Sequence, residues 1–135
     1  MYMSRGKFVA AKASYQSVDL ASRIDGASPH QLVQVMYEEL LKAIDAMAVA
    51  TRRGDFVQRN ARQSRALAIL TGLETSLDFE KGGEIARGLV AIYREARRLL
   101  VAAGRENDAD KIGQARDMLF EIASAWDALA KQPAD

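Results

Sequence analysis

The 135-residue sequence contains no cysteine, only two prolines and a single histidine, His30. Without cysteine, a disulfide framework, a thiolate metal site and a thiol nucleophile are all excluded. No apolar run approaches the roughly 20 residues that a membrane-spanning helix needs. The first residues carry Arg5, Lys7 and Lys12 in place of the apolar segment of a signal peptide. We therefore expect a cytoplasmic protein that does not insert into a membrane.

An excess of one charge sign is also lacking, because 19 basic and 18 acidic residues leave a formal net charge of +1. Such a balance produces no overall field that would attract nucleic acid or an anionic membrane. Hydrophobic residues make up 49% of the chain, a proportion that excludes wholesale disorder. The length corresponds to one domain and is sufficient to bury a hydrophobic core.

Four segments carry apolar residues at alternating steps of three and four, a spacing that predicts amphipathic helices. Short connections between them predict that successive helices are antiparallel. We expect an all-α fold: an antiparallel four-helix bundle over residues 28–131, with an N-terminal arm or short helix over residues 1–27 and a frayed tail over residues 132–135. The main seams are Val33, Tyr37, Leu40, Ile44 and Met47; Phe56, Leu67, Ile69, Leu70, Leu73 and Leu77; Ile85, Leu89, Ile92, Ala96, Leu99 and Ala103; and Ile112, Ala115, Leu119, Ile122, Trp126 and Leu129.

Residues typical of helix ends separate these segments. Ser28, followed by Pro29 and Gln31, predicts a capping box at the start of the first long helix. The other expected boundaries are Gly54 with the cap Asp55, a break over residues 78–83, Gly104 at the end of the third helix, and Asn107 or Asp108 as the last cap.

Chemistry-bearing motifs are scarce. His30 has no histidine or carboxylate partner at metal-binding spacing, and no Glu-x-x-His motif of a carboxylate-bridged metal site occurs. Gly82-Gly83 lacks the flanking residues of a phosphate-binding loop and is interpreted as a turn. We therefore expect no catalytic residue, no metal and no cofactor.

Two arginine clusters leave an alternative open. Arg59, Arg62 and Arg65 fall on one face of the second helix, and such a stripe can bind nucleic acid or a regulator protein. The interleaved acidic residues and the balanced net charge favour an ordinary solvated face. The second cluster consists of Arg94, Arg97, Arg98 and Arg105.

Apolar residues outside the main seams are more informative. The third helix adds Ala86, Val90, Tyr93 and Leu100, and the first adds Leu32, Val35, Met36 and Leu41. A helix of a small bundle needs one apolar stripe about 100° wide, so the extra residues must be covered. Four explanations remain open: the N-terminal arm covers these residues, the core is broad, the protein forms a homodimer through them, or they bind an amphipathic helix of a partner.

The order of several short motifs is similar to that of a known family. The matching residues are Tyr15-Gln16, Ala27 to Val33, Tyr37, Asn60, Ala66, Leu73, Leu77-Asp78, Gly82 to Ala86, Leu89, Tyr93 and Trp126. On these residues the sequence resembles FliS, the flagellar export chaperones of flagellin. Two positions depart from the pattern: Glu38-Glu39 stands where the family usually has Asp-Gly, and Ala103-Gly104 where Ala-Asn is common.

The resemblance implies an antiparallel four-helix bundle without enzymatic activity, whose N-terminal segment can cap its binding surface. It implies binding of the disordered C-terminal segment of flagellin in the cytoplasm, prevention of premature polymerisation, and delivery to the flagellar type III export gate. We expect a monomer or weak homodimer, with Tyr37 and Trp126 in the core. The expected partner-binding residues are Tyr15, Gln16, Leu20 and Ile24 in the arm, together with Met36, Val90, Tyr93 and Leu100.

Overall fold

The computed structural model describes residues 18–130, which form five α-helices and contain no β-strand. The helices are α1 (Val18–Ile24), α2 (Pro29–Arg53), α3 (Phe56–Thr75), α4 (Phe79–Glu106) and α5 (Ala109–Ala130). The prediction of an all-α fold is confirmed. The frayed tail and most of the predicted arm lie outside the described residues, and the proposed division into arm, bundle and tail stays a prediction.

The four long helices form a closed ring. Each packs against its neighbour in the sequence, and α2 also packs against α5. The connections are only a few residues long, so that successive helices run antiparallel. The short α1 lies within the predicted arm and packs against α2, where Leu20 and Ile24 join the buried cluster of the bundle.

The start and end of α2 follow the predicted capping pattern. The Ser28 hydroxyl accepts the backbone N–H of Gln31 at 3.1 Å, and the Gln31 side chain accepts the backbone N–H of Ser28 at 2.9 Å. This reciprocal pair satisfies two donors that a helix start leaves without partners. Gly54 ends the helix with φ 70°, a left-handed conformation that glycine adopts without strain.

The predicted break over residues 78–83 is wrong in part, because α4 already begins at Phe79. The Asp78 carboxylate accepts the backbone N–H groups of Glu80 and Lys81, each at 3.1 Å, and so stabilises the first turn. The glycine pair produces a kink inside the helix, where Gly83 has φ 51° and ψ −124°. A capped first turn therefore precedes the kink and keeps the segment helical.

The prediction that Gly104 ends α4 is also wrong. The helix continues to Glu106, and Asn107 ends it with φ 54°, since asparagine is the other residue that tolerates the left-handed conformation. Gly104 lies inside the helix against α3, where an added Cβ would collide with the side-chain amide of Gln63. The absence of a side chain at Gly104 therefore allows α4 to pack closely against Gln63 of α3. Asp108 accepts the N–H of Asp110 at 3.0 Å and is therefore the cap of α5.

On α4 both apolar stripes contribute to the core. Ala86, Tyr93 and Leu100 of the second stripe repeat every seven positions and are buried. Ala96, Leu99 and Ala103 of the main seam are buried as well, whereas Ile85 of that seam is 57% exposed. Phe56 and Leu129 were also expected on seams and are exposed at helix ends, beyond the cover of neighbouring helices. Tyr37 and Trp126 are buried, as predicted.

Candidate partner-binding groove

Two depressions follow one another along the seam between α2 and α5. The first has a volume of about 380 Å³ and is lined by Gln34, Tyr37, Glu38, Leu41, Phe120, Ala123, Ser124 and Asp127. The second has a volume of about 270 Å³ and is lined by Ile44, Asp45, Ala48, Val49, Arg52, Ile112, Gly113 and Arg116. We refer to both together as the α2–α5 groove. Its depth comes from small residues on both helices, which leave space between the larger side chains.

Large apolar side chains are exposed along this groove. Phe120 on α5 is 47% exposed and Val49 on α2 is 42% exposed, while Leu41 is half-buried between the helices. Large apolar side chains that stay in contact with water and line a concave seam are typical of surfaces that bind an amphipathic helix. The groove therefore offers apolar contacts along a surface that is not closed by another helix of the described chain.

Arg116 bridges the groove between the two depressions. Its Nε lies 3.1 Å from Oδ1 of Asp45 on α2, and its guanidinium lies 5.0 Å from the centroid of the Phe120 ring. An exposed ion pair of this kind contributes only about 0.2–1 kcal/mol to stability, and an exposed cation–π contact a similar amount. A partner can therefore displace the Arg116 side chain at small cost.

Aromatic contacts hold the end of the groove near the start of α2. The indole Nε1 of Trp126 donates to the backbone carbonyl of His30 at 3.0 Å, and the two rings stack with centroids 4.5 Å apart. Beside them, Gln34 donates to Asp127 at 2.7 Å, joining α2 to α5 again. His30 thus has a packing role, and residues 18–130 contain no cluster of side chains suited to hold a metal ion.

Behind the groove, the Tyr37 and Tyr93 hydroxyls share a buried hydrogen bond of 2.5 Å. Burial raises the pKa of Tyr37 from its ordinary value of 10.0 to about 12, and the hydrogen bond to Tyr93 offsets part of that rise. Burial also raises the pKa of Tyr93 well above its usual range, and the neighbouring Tyr37 adds to the rise. Both side chains are therefore neutral at physiological pH and satisfy each other inside the core.

Comparison with known proteins identifies the family. The family model described as flagellar protein FliS matches residues 11–133. The chain belongs to the FliS family. It is 36% identical over 114 residues, 84% of each chain, to the flagellar secretion chaperone FliS of Salmonella typhimurium. The Campylobacter jejuni relative of the same name is 35% identical over 73% of this chain and 77% of its own length. The FliSB chaperone of Pseudomonas aeruginosa is 29% identical over 89% and 95%.

FliS proteins are chaperones and not enzymes, so the prediction of a flagellar chaperone without catalytic activity is confirmed by family membership. The resemblance noted from the order of the motifs is confirmed as well. No helix among residues 18–130 combines the length and apolar character that a membrane span requires.

None of the predicted partner-binding residues that the structure describes lines the α2–α5 groove. Tyr15 and Gln16 lie outside the described residues. Leu20, Ile24, Met36, Tyr93 and Leu100 are buried in the core cluster, and Val90 is partly buried against it. Their role in binding a partner stays a prediction. The sequence analysis missed the groove residues Val49 and Phe120. The signal that could have identified them is that both are large apolar residues outside the main seams.

The arginine stripe of α3 is largely used within the FliS bundle itself. Arg59 donates to the carbonyl of Gly104 at 2.8 Å and to the side chain of Asn107 at 2.5 Å, and so holds the C-terminal end of α4. Arg65 lies 3.6 Å from a carboxylate oxygen of Glu39. These contacts favour a structural role for two of the three arginines over a nucleic-acid surface.

Proposed function

We propose that this FliS protein is a cytoplasmic export chaperone that binds the disordered C-terminal segment of flagellin. In this proposal it prevents premature polymerisation of its client and aids delivery to the flagellar type III export gate. The observation that carries the proposal is the α2–α5 groove, with Phe120 and Val49 exposed along it. Family membership supports it, because the relatives are named flagellar secretion chaperones.

The dimensions of the groove suit a helical client. It extends over residues 34–52 of α2, about 27 Å at a rise of 1.5 Å per residue. An amphipathic helix of about five turns fits this length and places apolar residues at i, i+3, i+4 and i+7 into the two depressions. Those apolar residues are then unavailable for assembly with other flagellin chains.

Reversibility follows from the client being disordered when free. Ordering such a segment costs on the order of 2–5 kcal/mol of the gross interaction energy. An extensive apolar contact can therefore remain weak enough to release the client for export. The Arg116 bridge over Phe120 adds a small further cost, because the guanidinium must move before a client covers the ring.

The predicted arm residues enter the same proposal. Leu20 and Ile24 belong to the buried cluster that also contains Met36. A client that displaces α1 gains access to this apolar surface. Tyr15 and Gln16 of the predicted arm are proposed as further contacts of that client. On α4 we propose Val90 as a further contact, because it is only partly buried. Tyr93 and Leu100 are buried by the ring of helices and stay predicted contacts. In this arrangement α1 is a removable cover of the bundle.

Calorimetry of the full chain against the C-terminal segment of flagellin from the same organism tests the proposal. We expect saturable one-to-one binding with a negative heat-capacity change, because apolar surface is buried. Circular dichroism of the mixture should show more helix than the sum of its parts. Absence of binding at high micromolar concentration would contradict flagellin as the client. Sedimentation of the free protein tests the expected monomer or weak homodimer.

A further inference from the structure

A separate depression lies between α2 and α3, on the other side of Val49 from the groove. It has a volume of about 380 Å³, at the lower end of the range typical of ligand sites. We refer to it as the α2–α3 cleft. Its lining consists of Ala46, Val49, Ala50, Arg53, Asp55, Gln58 and Arg62. Val49 lines both the cleft and the groove, so the two surfaces are adjacent but face different helix pairs.

The floor of the cleft is aliphatic and comes from α2. Ala46, Val49 and Ala50 supply methyl groups without any polar side-chain atom. Val49 remains 42% exposed. The space they border accommodates one or two apolar side chains of a bound helix, at the i and i+3 or i+4 positions that helix-in-groove recognition uses.

The rim of the cleft is cationic. Arg53 and Arg62 are both exposed and make no ion pair or side-chain hydrogen bond within residues 18–130. Other arginines of the bundle, such as Arg59 and Arg116, bind a carbonyl or a carboxylate nearby. The one carboxylate in the lining, Asp55, is engaged as the cap of α3 and accepts the N–H of Gln58 at 3.2 Å. Two cations that have no ion-pair partner in the described part of the chain thus flank an apolar floor.

We propose that the α2–α3 cleft binds an acidic amphipathic helix of a partner protein. An apolar side chain of that helix inserts between Ala46, Val49 and Ala50, and its carboxylates pair with Arg53 and Arg62. A nucleic acid fits the same surface poorly, because the lining contains no aromatic ring on which a base could stack. The inference does not depend on flagellin being the client of the groove.

The test uses the isotope-labelled full chain and a 15-residue model peptide of glutamate, alanine and leucine, with leucines at i, i+3, i+4 and i+7. Titration to millimolar concentration should shift the backbone amide signals of Ala46, Ala50 and Gln58 in the cleft. The signal of Ala123 reports separately on the α2–α5 groove, which also accepts an amphipathic helix. A peptide with lysine in place of every glutamate should produce no shifts at the three cleft residues. Saturable shifts in the cleft that only the acidic peptide produces support the proposal.

Charge variants of the cleft test whether its arginines contribute to the affinity for the acidic peptide. Arg53→Gln and Arg62→Gln should each weaken acidic-peptide binding about two- to fivefold, the range of an exposed ion pair. Asp55→Asn should tighten binding, because asparagine keeps a capping oxygen and removes a repulsive charge. Arg87→Gln on α4 is the matched control and should leave binding unchanged, since Arg87 is exposed and lies outside the cleft.

Three results would overturn the proposal. The first is the absence of shifts in the cleft at millimolar acidic peptide. The second is equal binding of the lysine peptide, which would show that charge plays no part. The third is that a single-stranded oligonucleotide shifts Ala46 and Gln58 while the acidic peptide does not, which would assign the two arginines to nucleic acid.

Discussion

The hydroxyl of Tyr37 lies 2.5 Å from the hydroxyl of Tyr93 and joins α2 to α4 across the centre of the bundle. These two helices are diagonal in the ring, where each long helix otherwise packs on its neighbours. Both residues are 2% exposed, so neither hydroxyl has water as an alternative partner. The pair therefore links two helices that are not neighbours in the ring.

Removal of one hydroxyl should leave the other buried without a partner. We expect Tyr37→Phe or Tyr93→Phe to lower the free energy of unfolding by about 1–3 kcal/mol. The double variant should lose clearly less than the sum of the single losses, because it leaves no orphaned hydroxyl. Urea denaturation of the four proteins measures this cycle. Strictly additive losses would show that the two hydroxyls do not interact.

High pH should destabilise the fold through the same pair. The pKa of Tyr37 rises from 10.0 to about 12 on folding, so between these values the folded state retains a proton that the unfolded chain releases. Stability is present in full below pH 10 and declines above it, with a slope approaching about 1.4 kcal/mol per pH unit for each such group. Thermal unfolding between pH 9 and pH 11 checks this. The Tyr37→Phe/Tyr93→Phe variant should show a smaller decline over the same interval.

Prediction from the sequence succeeded where the signal is local. The Ser28–Gln31 capping box and the left-handed Gly54 depend on a few adjacent residues, and both occur as expected. The end of α4 was mispredicted because the role of Gly104 depends on Gln63, which is 41 positions earlier in the chain and on another helix. Periodicity alone could not show that both stripes of α4 contribute to the core, because the rotation of the helix is set by the helices that face it.

The groove was harder to predict for a related reason. Phe120 and Val49 lie on different helices, and only the pairing of α2 with α5 brings them to one seam. Met36, Tyr93 and Leu100 looked available as a second stripe, but the ring of helices buries them. Sequence patterns thus predicted that surplus apolar surface exists, and the packing decides which part of it faces water.

The capping box at the start of α2 provides a stability test. Ser28→Ala removes the oxygen that accepts the Gln31 N–H and should lower the free energy of unfolding by about 0.5–2 kcal/mol. Ser64→Ala in the exposed middle of α3 is the matched control, where alanine is the better helix former and no loss is expected. Urea denaturation of both variants compares the two positions. Equal losses would contradict the capping role.

Two glycines inside α4 should respond differently to alanine. At Gly88 an added Cβ meets nothing within 4 Å, so Gly88→Ala should raise the free energy of unfolding by about 0.5–1 kcal/mol. At Gly104 the Gln63 amide must first move, which also disturbs its 3.4 Å hydrogen bond to the Leu100 carbonyl. Gly104→Ala should therefore gain less or lose stability. Thermal unfolding of the two variants gives the order, and the reverse order would contradict the packing role of Gly104.

A matched pair of phenylalanines tests the proposal that the α2–α5 groove binds the flagellin C-terminal segment. Phe120 lies in the groove and is 47% exposed, whereas Phe79 lies at the start of α4, outside the groove, and is 48% exposed. Calorimetric titration of the two serine variants with the same flagellin segment compares them. We expect Phe120→Ser to weaken binding about tenfold, because apolar burial is lost, and Phe79→Ser to change it less than about twofold. Equal affinities for the two variants, with both still folded, would contradict it.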